Sequence, residues 1–199
     1  MVSDRLLLAI AAVLGSFVLA LALLWQPDLA RPLPPPGPAA DGDFTLQSAS
    51  GPLSLHDFRG KLVLVYFGYT YCPDVCPTSL AATAEGLKQL RPEELARVAV
   101  IFVSVDPQRD TPARLKDYVE FFHPAMVGVT GTPEELAEIA RRYGVFYARQ
   151  PADTAGGYVV DHSSDTYVVG PNGKLRGRIP HATPPEGVAL AIRDYLKQP

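Results

Sequence analysis

A chain of 199 residues has room for one domain of about 100–200 residues and a further element besides. Hydrophobic residues make up 47% and charged residues 20%, as in an ordinary globular protein, and a net charge of -3 without a basic cluster argues against nucleic acid as a partner. Two cysteines are too few for a disulfide scaffold, so whatever chemistry they carry is local.

The further element comes first. From Leu6 to Trp25 run 20 residues without a charge, mostly Leu, Ala and Val, enough to cross about 30 Å of hydrocarbon as a helix. A cleaved secretory signal has a shorter apolar stretch of about 7–15 residues and a small-x-small cleavage site. Here the run ends in Leu23-Leu24-Trp25-Gln26-Pro27, with neither such a site nor a lipobox cysteine. An uncleaved anchor over residues 1–25, spanning at 6–25, is therefore expected, with Trp25 as an aromatic anchor at the far interface. The first residues form no long Arg- and Ser-rich leader, which points to a bacterial inner-membrane protein whose remaining domain lies on the extracytoplasmic, periplasmic side. Residues 26–42 hold six prolines in 17 positions and read as a stiff spacer.

The domain proper spans 43–199. Phe44–Gln47 and Leu53–Leu55 alternate around Ser50-Gly51-Pro52 and predict a small hairpin. Lys61–Phe67 and Arg97–Val105 are unbroken apolar runs, the pattern of strands buried on both faces. Between them, Pro77–Leu90 has helical spacing at Leu80, Ala84, Leu87 and Leu90. Thr111-Pro112, Thr132-Pro133 and Thr183-Pro184 each set a capping hydroxyl before a proline, predicting helices over 112–122, 133–143 and 184–197. Glu135 and Glu186 add capping boxes. Strands are expected at 144–148, 157–160, 165–170 and 174–179, the last pair turning at Pro171-Asn172-Gly173. The fold class is α/β: a mixed central sheet covered by helices, with a dithiol between the first long strand and the first long helix, as in a thioredoxin-like fold.

Cys72 and Cys76 are four apart, and each precedes a proline. Proline disfavours helical geometry in the residue before it, so Pro77 is placed at the first helical position and Cys76 at the N-cap, where the helix dipole favours thiolate. A structural disulfide across so short a loop would contribute only about 2 kcal/mol. Metal or redox roles remain. Structural zinc and iron–sulfur clusters want four protein ligands, whereas two thiolates and one imidazole suit copper as Cu(I) or Cu(II).

Of the four histidines, His56 reads as a surface residue and His123 as a helix-terminal cation, while His181 precedes a cap. His162 sits in Asp161-His162-Ser163-Ser164, between two strand-like runs, with Asp161 placed to orient it. Local sequence alone leaves its role open. Met126 lies in an apolar run and reads as core, as do the strand-end aromatics Tyr69 and Tyr71 unless they rim the site.

Tyr66-Phe67-Gly68-Tyr69-Thr70-Tyr71-Cys72-Pro73-Asp74-Val75-Cys76-Pro77 resembles the signature of the Sco/SenC family of copper-binding assembly factors. Val103-Ser104-Val105-Asp106-Pro107 with Arg109-Asp110-Thr111-Pro112 is similar too, as is Tyr158-Val159-Val160-Asp161-His162-Ser163 with Gly170-Pro171-Asn172-Gly173. The resemblance covers residues 43–199 and the preceding anchor. It implies a thioredoxin-like fold and copper delivery to the CuA centre of cytochrome c oxidase, on subunit II, with Cys72, Cys76 and His162 as ligands. After His162 this chain has Ser163-Ser164-Asp165, where the family often has apolar residues. Asp74 and Asp106 also fall on motif positions. Asp74 reads as a docking or solvated carboxylate, Asp106 as a strand end.

Two functions follow. One is a membrane-anchored copper metallochaperone. The other is a thiol–disulfide oxidoreductase, with Cys72 and Cys76 as its catalytic pair, that keeps the oxidase's copper-site cysteines reduced and for which His162 is dispensable. Another copper chaperone or a thiol–disulfide oxidoreductase would then be a further partner. A peroxidase is set aside, because peroxiredoxins place a threonine three residues before the reactive cysteine, and Tyr69 and Pro73 stand there instead.

Overall fold

The computed structural model describes Ser16, residues 41–151 and residues 157–198. The expected membrane span over 6–25 and nearly all of the 26–42 spacer lie outside the described residues. Among the described residues, no helix is long and apolar enough to cross a membrane. Those from 41 onward fall within one compact unit, residues 36–199.

A hairpin opens that unit, pairing β1 (Thr45–Ser48) with β2 (Gly51–Ser54), followed by a 3-10 turn at Leu55–Phe58. The apolar runs become β3 (Leu62–Gly68) and β4 (Val98–Ser104), and every residue of both is buried. They pair in parallel, β4 pairs in parallel with β5 (Met126–Val129), and Met126 is core as expected. On the other side β3 pairs antiparallel with β8 (Thr166–Val169), and β8 with β9 (Leu175–Ile179). The order β5-β4-β3-β8-β9 makes the sheet mixed, and β3, carrying its end toward the cysteines, is its central strand.

Successive strand residues face opposite sides, and the two long strands use this to build two aromatic layers. Tyr66 and Phe102 stack on one face, where Phe102 meets Tyr118 of α3 (Pro112–Phe122). Phe67 and Tyr167 lie on the other, against Tyr143 of α4 (Pro133–Tyr143). The helix after the cysteines, α1 (Val75–Lys88), packs on the last helix, α5 (Pro185–Lys197). Gly86 permits this approach, because a Cβ there would lie 2.9 Å from Val188.

α3 and α4 start where their Thr-Pro pairs place them, with Thr111 and Thr132 accepting from the backbone N–H groups of Arg114 and Glu135, and Glu135 completing its box. Three expectations need correction. α1 begins at Val75 with Asp74 at the N-cap, so Cys76 lies inside the first turn. Pro77 is tolerated there because first-turn N–H groups have no intrahelical acceptor to lose. The third Thr-Pro pair does not cap: Thr183 turns back to donate to the Pro180 carbonyl, Pro184 takes the N-cap, and no side chain caps α5. The strand expected at 144–148 begins instead at Tyr147, after Gly144 has ended α4 in the left-handed region at φ 67°. A one-turn helix, α2 (Pro92–Leu95), was not expected.

One element stands apart from the main sheet. β6 (Tyr147–Pro151) and β7 (Tyr158–His162) form their own antiparallel pair, and His162 is the last residue of β7.

Candidate metal centre

Three segments converge at the end of β3. The loop Tyr69–Asp74 supplies Cys72, the first turn of α1 supplies Cys76, and the end of β7 supplies His162. Their ligand atoms all lie within 4.8 Å of one another. His162 Nε2 is 3.2 Å from Cys76 Sγ, across 86 residues of sequence. Among the described residues this is the one group of three or more His, Cys, Asp or Glu side chains gathered closely enough for a metal.

The burial is graded. Cys76 is fully buried, Cys72 is 8% exposed and His162 half-buried, so the centre opens to solvent along one side. That opening is a depression of about 370 Å³ lined by Tyr69, Cys72, Val75, Val160 and His162 among others. Both cysteines are free thiols.

The two thiols are polarised in opposite senses. The Cys76 thiol donates to Cys72, and His162 and then the backbone N–H groups of Cys76 and Asp74 add to the effect, so the Cys72 pKa falls to about 4 although burial opposes it. Burial and the neighbouring Cys72 sulfur push Cys76 well up. The pair therefore holds one proton at neutral pH, on Cys76, with Cys72 as thiolate. In the metal-free, reduced protein the alkylation rate of Cys72 is accordingly expected to stay flat from pH 8 to pH 6 and to fall only near its own pKa, with Cys76 unreacted. A rate that drops about tenfold per unit between pH 8 and 6, as an ordinary thiol of pKa about 8.5 shows, would refute this assignment.

The His162 ring is set by the residue after it. Nδ1 lies 2.9 Å from the Ser163 carbonyl, and a carbonyl can only accept, so Nδ1 carries a proton and Nε2 is the nitrogen that faces the sulfurs. Asp161, expected to orient His162, does not do so, because adjacent residues of a strand face opposite sides. Ser163 also fastens the hairpin: its N–H donates to the Phe146 carbonyl and its hydroxyl accepts from the Phe146 N–H. Tyr66 and Tyr69 meet the imidazole edge-on, at 6.2 and 5.8 Å between centroids. Burial and the nearby Cys76 raise the Tyr66 pKa, keeping the phenol neutral.

The other histidines lie elsewhere. His56 is exposed. His123 is buried and accepts from the Ala125 N–H through Nδ1, and burial lowers its pKa, so it is not the helix-terminal cation expected from sequence. His181 Nδ1 lies 2.8 Å from Ser79 Oγ, in a separate depression between α1 and the start of α5. Asp74 is exposed and accepts from Thr78. Tyr69 is core, but Tyr71 is 51% exposed, its ring beneath the Arg109 and Arg114 guanidinium groups.

Asp106 has a larger part than its sequence position suggests. Far from merely ending a strand, it is completely buried, and it accepts from Tyr158 Oη at 2.6 Å and pairs with Arg109 and Arg149. Asp110, equally buried, was not singled out. The available signal was two carboxylates just past a wholly apolar strand, close to the cysteines only once β3 and β4 pair in parallel.

A family model described as SCO1/SenC matches residues 34–197. The chain belongs to the SCO1/SenC family. Among relatives of this family, the mitochondrial SCO2 homologue of Bos taurus is 39% identical over 157 residues, 78% of this chain and 59% of that protein. The chain spans about six tenths of the length of the curated relatives that it matches first. The structure of Bradyrhizobium japonicum ScoI with copper bound is 36% identical with a TM-score of 0.71, covering 79% of this chain and 99% of that one. BsSco, described as a member of the Sco family of cytochrome c oxidase assembly proteins with a disulfide switch, is 27% identical with a TM-score of 0.61, covering 79% and 92%.

Proposed function

We propose that this SCO1/SenC member is a membrane-anchored copper metallochaperone that delivers copper to the CuA centre on subunit II during cytochrome c oxidase assembly. Its anchor would be residues 1–25, its spacer 26–42 and its thioredoxin-like domain 43–199, held on the extracytoplasmic face of a bacterial inner membrane. The observation that carries the reading is the gathering of two sulfurs and one imidazole nitrogen within 4.8 Å, at a site open on one side. With metal–sulfur bonds of about 2.3 Å and metal–nitrogen bonds of about 2.0 Å, one ion reaches all three donors. Two soft sulfurs with one imidazole suit copper, the ion in the Bradyrhizobium relative.

Copper is cargo here, and the residues divide the work of holding and releasing it. Cys72 is already a thiolate and needs no proton removed before it binds. His162 presents Nε2 because Ser163 holds Nδ1. Cys76, fully buried, gives up its proton on binding and anchors the ion from beneath. A recipient's sulfur ligands would reach the ion from the open side, where Cys72 and His162 lie.

The test uses the full-length protein, reduced and in detergent, titrated with Cu(I) and Cu(II). One copper per chain is expected, with a Cu(II)–thiolate absorption band that is lost in Cys72→Ser and Cys76→Ser and altered in His162→Ala. A band unchanged in His162→Ala would sink the three-donor centre.

The opposed pKa shifts of the two thiols favour a second reading, a thiol–disulfide oxidoreductase that keeps the oxidase's copper-site cysteines reduced. Cys72 is the attacking thiolate and Cys76 the resolving thiol. This role predicts turnover of a disulfide substrate that is undiminished in His162→Ala.

A further inference from the structure

The two halves of the centre belong to elements that barely share hydrogen bonds. Cys72 rides on the loop after β3 and Cys76 on the first turn of α1, while His162 rides on the β6–β7 hairpin, which is no part of the five-stranded sheet. Directly between them, among the described residues, Cys76 Sγ lies 3.2 Å from His162 Nε2, and the Val160 N–H donates to Tyr69 Oη at 3.3 Å. Something else has to set the distance between sulfur and imidazole.

That work converges on one short segment, the loop between β4 and α3. At its far end, Asp110 accepts from the Thr70 N–H at 2.8 Å and from the Thr70 hydroxyl at 2.5 Å, two residues before Cys72. Ser104 Oγ donates to the same carboxylate at 2.6 Å and accepts from the Asp106 N–H at 3.1 Å, tying the two acidic residues together. At its near end, Asp106 accepts from Tyr158 Oη and pairs with Arg109, whose Nη1 donates to the Tyr158 carbonyl at 2.9 Å. The Arg109 guanidinium also lies 3.7 Å from the Tyr158 ring centre. Arg149 of β6 reaches Asp106 and Gln108. Both strands of the hairpin are thus gripped by the segment that also grips the cysteine loop.

We propose that the β4–α3 loop is a positioning clamp, in which Asp110 fixes the cysteine loop while the Asp106–Arg109 pair latches the hairpin through Tyr158, so that this loop sets how far His162 stands from the thiols. The two carboxylates are the right groups for the work. Each is completely buried, and a charge-assisted bond accepted in that setting is stronger than one at the surface. The two sides differ in kind: Cys72 and Cys76 are held by the main chain of α1 and its loop together with Asp110, whereas the hairpin that carries His162 joins the clamp through side chains that can let go. Asp106, Arg109 and Tyr158 are therefore positioning residues for one ligand of three, and loosening them frees the imidazole while leaving the sulfur pair in place.

The proposal rests on His162 sharing the centre with the cysteines, and the experiment separates the two ideas. Tyr158→Phe removes only the hydroxyl given to Asp106, Arg109→Leu removes the bridge to the Tyr158 carbonyl, and Arg109→Lys restores the charge without the fork. Backbone hydrogen exchange is followed in the copper-free full-length protein in detergent, and Cu(I) affinity and the nitrogen coupling in the Cu(II) spectrum are measured alongside. In Tyr158→Phe and Arg109→Leu, exchange across residues 158–163 is expected to rise about tenfold while β3 and α1 keep wild-type protection, because a local latch opens locally. Cu(I) affinity should fall by about 10–100-fold, the range typical when the support behind a ligand is lost, with weakened nitrogen coupling and partial recovery in Arg109→Lys. Exchange within twofold of wild type across 158–163 in both variants would overturn the clamp. So would a rise spread equally over β3 and α1, the mark of plain destabilisation. If His162→Ala leaves copper affinity unchanged, the three-donor centre fails, and the copper-free exchange still decides the clamp by itself.

Discussion

Replacing Asp110 by alanine is expected to destabilise the protein by about 3–5 kcal/mol, the cost typical of removing one partner from a buried charged network. The carboxylate is completely buried and serves the Thr70 N–H, the Thr70 hydroxyl and the Ser104 hydroxyl at once. Alanine leaves those donors without their acceptor, Ser104 fully buried and Thr70 partly so, and each buried orphaned group costs about 1–3 kcal/mol. Arg114 cannot replace the carboxylate: its Nε donates to Thr70 Oγ1 and offers the orphaned donors no acceptor, and it lies 3.9 Å from Asp110 as an ion pair that is lost as well. For a domain of this size the melting temperature should fall on the order of 10 °C. Ser104→Ala leaves the carboxylate with two donors but also strips the buried Asp106 N–H of its acceptor, and should cost about 1–3 kcal/mol, less than Asp110→Ala. Urea unfolding of the two variants checks the ranking, and a melting temperature for Asp110→Ala within 2 °C of wild type would show that the carboxylate is not the node of this network.

What could be read from the sequence, and what could not, follows the range over which each signal acts. β3 and β4 were legible because seven consecutive buried residues leave an unbroken apolar run. α3 and α4 were legible because a Thr-Pro start is local chemistry, a hydroxyl and a fixed φ acting within one turn. The same signature misled at Thr183, where a second proline follows. Pro184-Pro185 shifts the helix start by one residue, and the freed hydroxyl finds the Pro180 carbonyl instead. The preference of the residue before proline was likewise overridden at Cys76, which is helical although Pro77 follows.

The centre divides in the same way. Cys72 and Cys76 announce themselves by spacing, but His162 could not be separated from an ordinary polar turn on local grounds, and only the resemblance to a family singled it out. Its partner Ser163 was invisible for a physical reason: the atom that matters is a backbone carbonyl, which any residue possesses. Asp106 and Asp110 were hidden because their partners lie 40–52 residues away, at Thr70 and Tyr158. Burial of a carboxylate is a tertiary fact, and sequence reports it only when every partner is known.

Gly68 offers the sharpest probe of how tightly the centre is built, and Gly68→Ala is expected to cost about 1–3 kcal/mol, as overpacking of a filled core does. Its backbone is ordinary strand, paired with Ser104, so conformation is not the obstacle. Space is. A Cβ there would lie 2.6 Å from Cys76 Sγ and 3.1 Å from ring carbons of both Tyr66 and Phe102. The rings are stacked on one another and cannot retreat, so the sulfur must move. Cys76 is on the first turn of α1 with a short side chain, and rotating it away from Gly68 takes its sulfur out of the group formed with Cys72 and His162. Copper affinity should therefore fall by about tenfold or more in Gly68→Ala, the order of loss seen when the surroundings of a ligand are disturbed. The sulfur's part in the penalty can be isolated, because residues in contact do not contribute additively. In a Cys76→Ala background the clash is gone, and adding Gly68→Ala should then cost little stability. If the glycine substitution costs as much without the sulfur as with it, the strain lies with Tyr66 and Phe102, and β3 is not what presses Cys76 toward its neighbours.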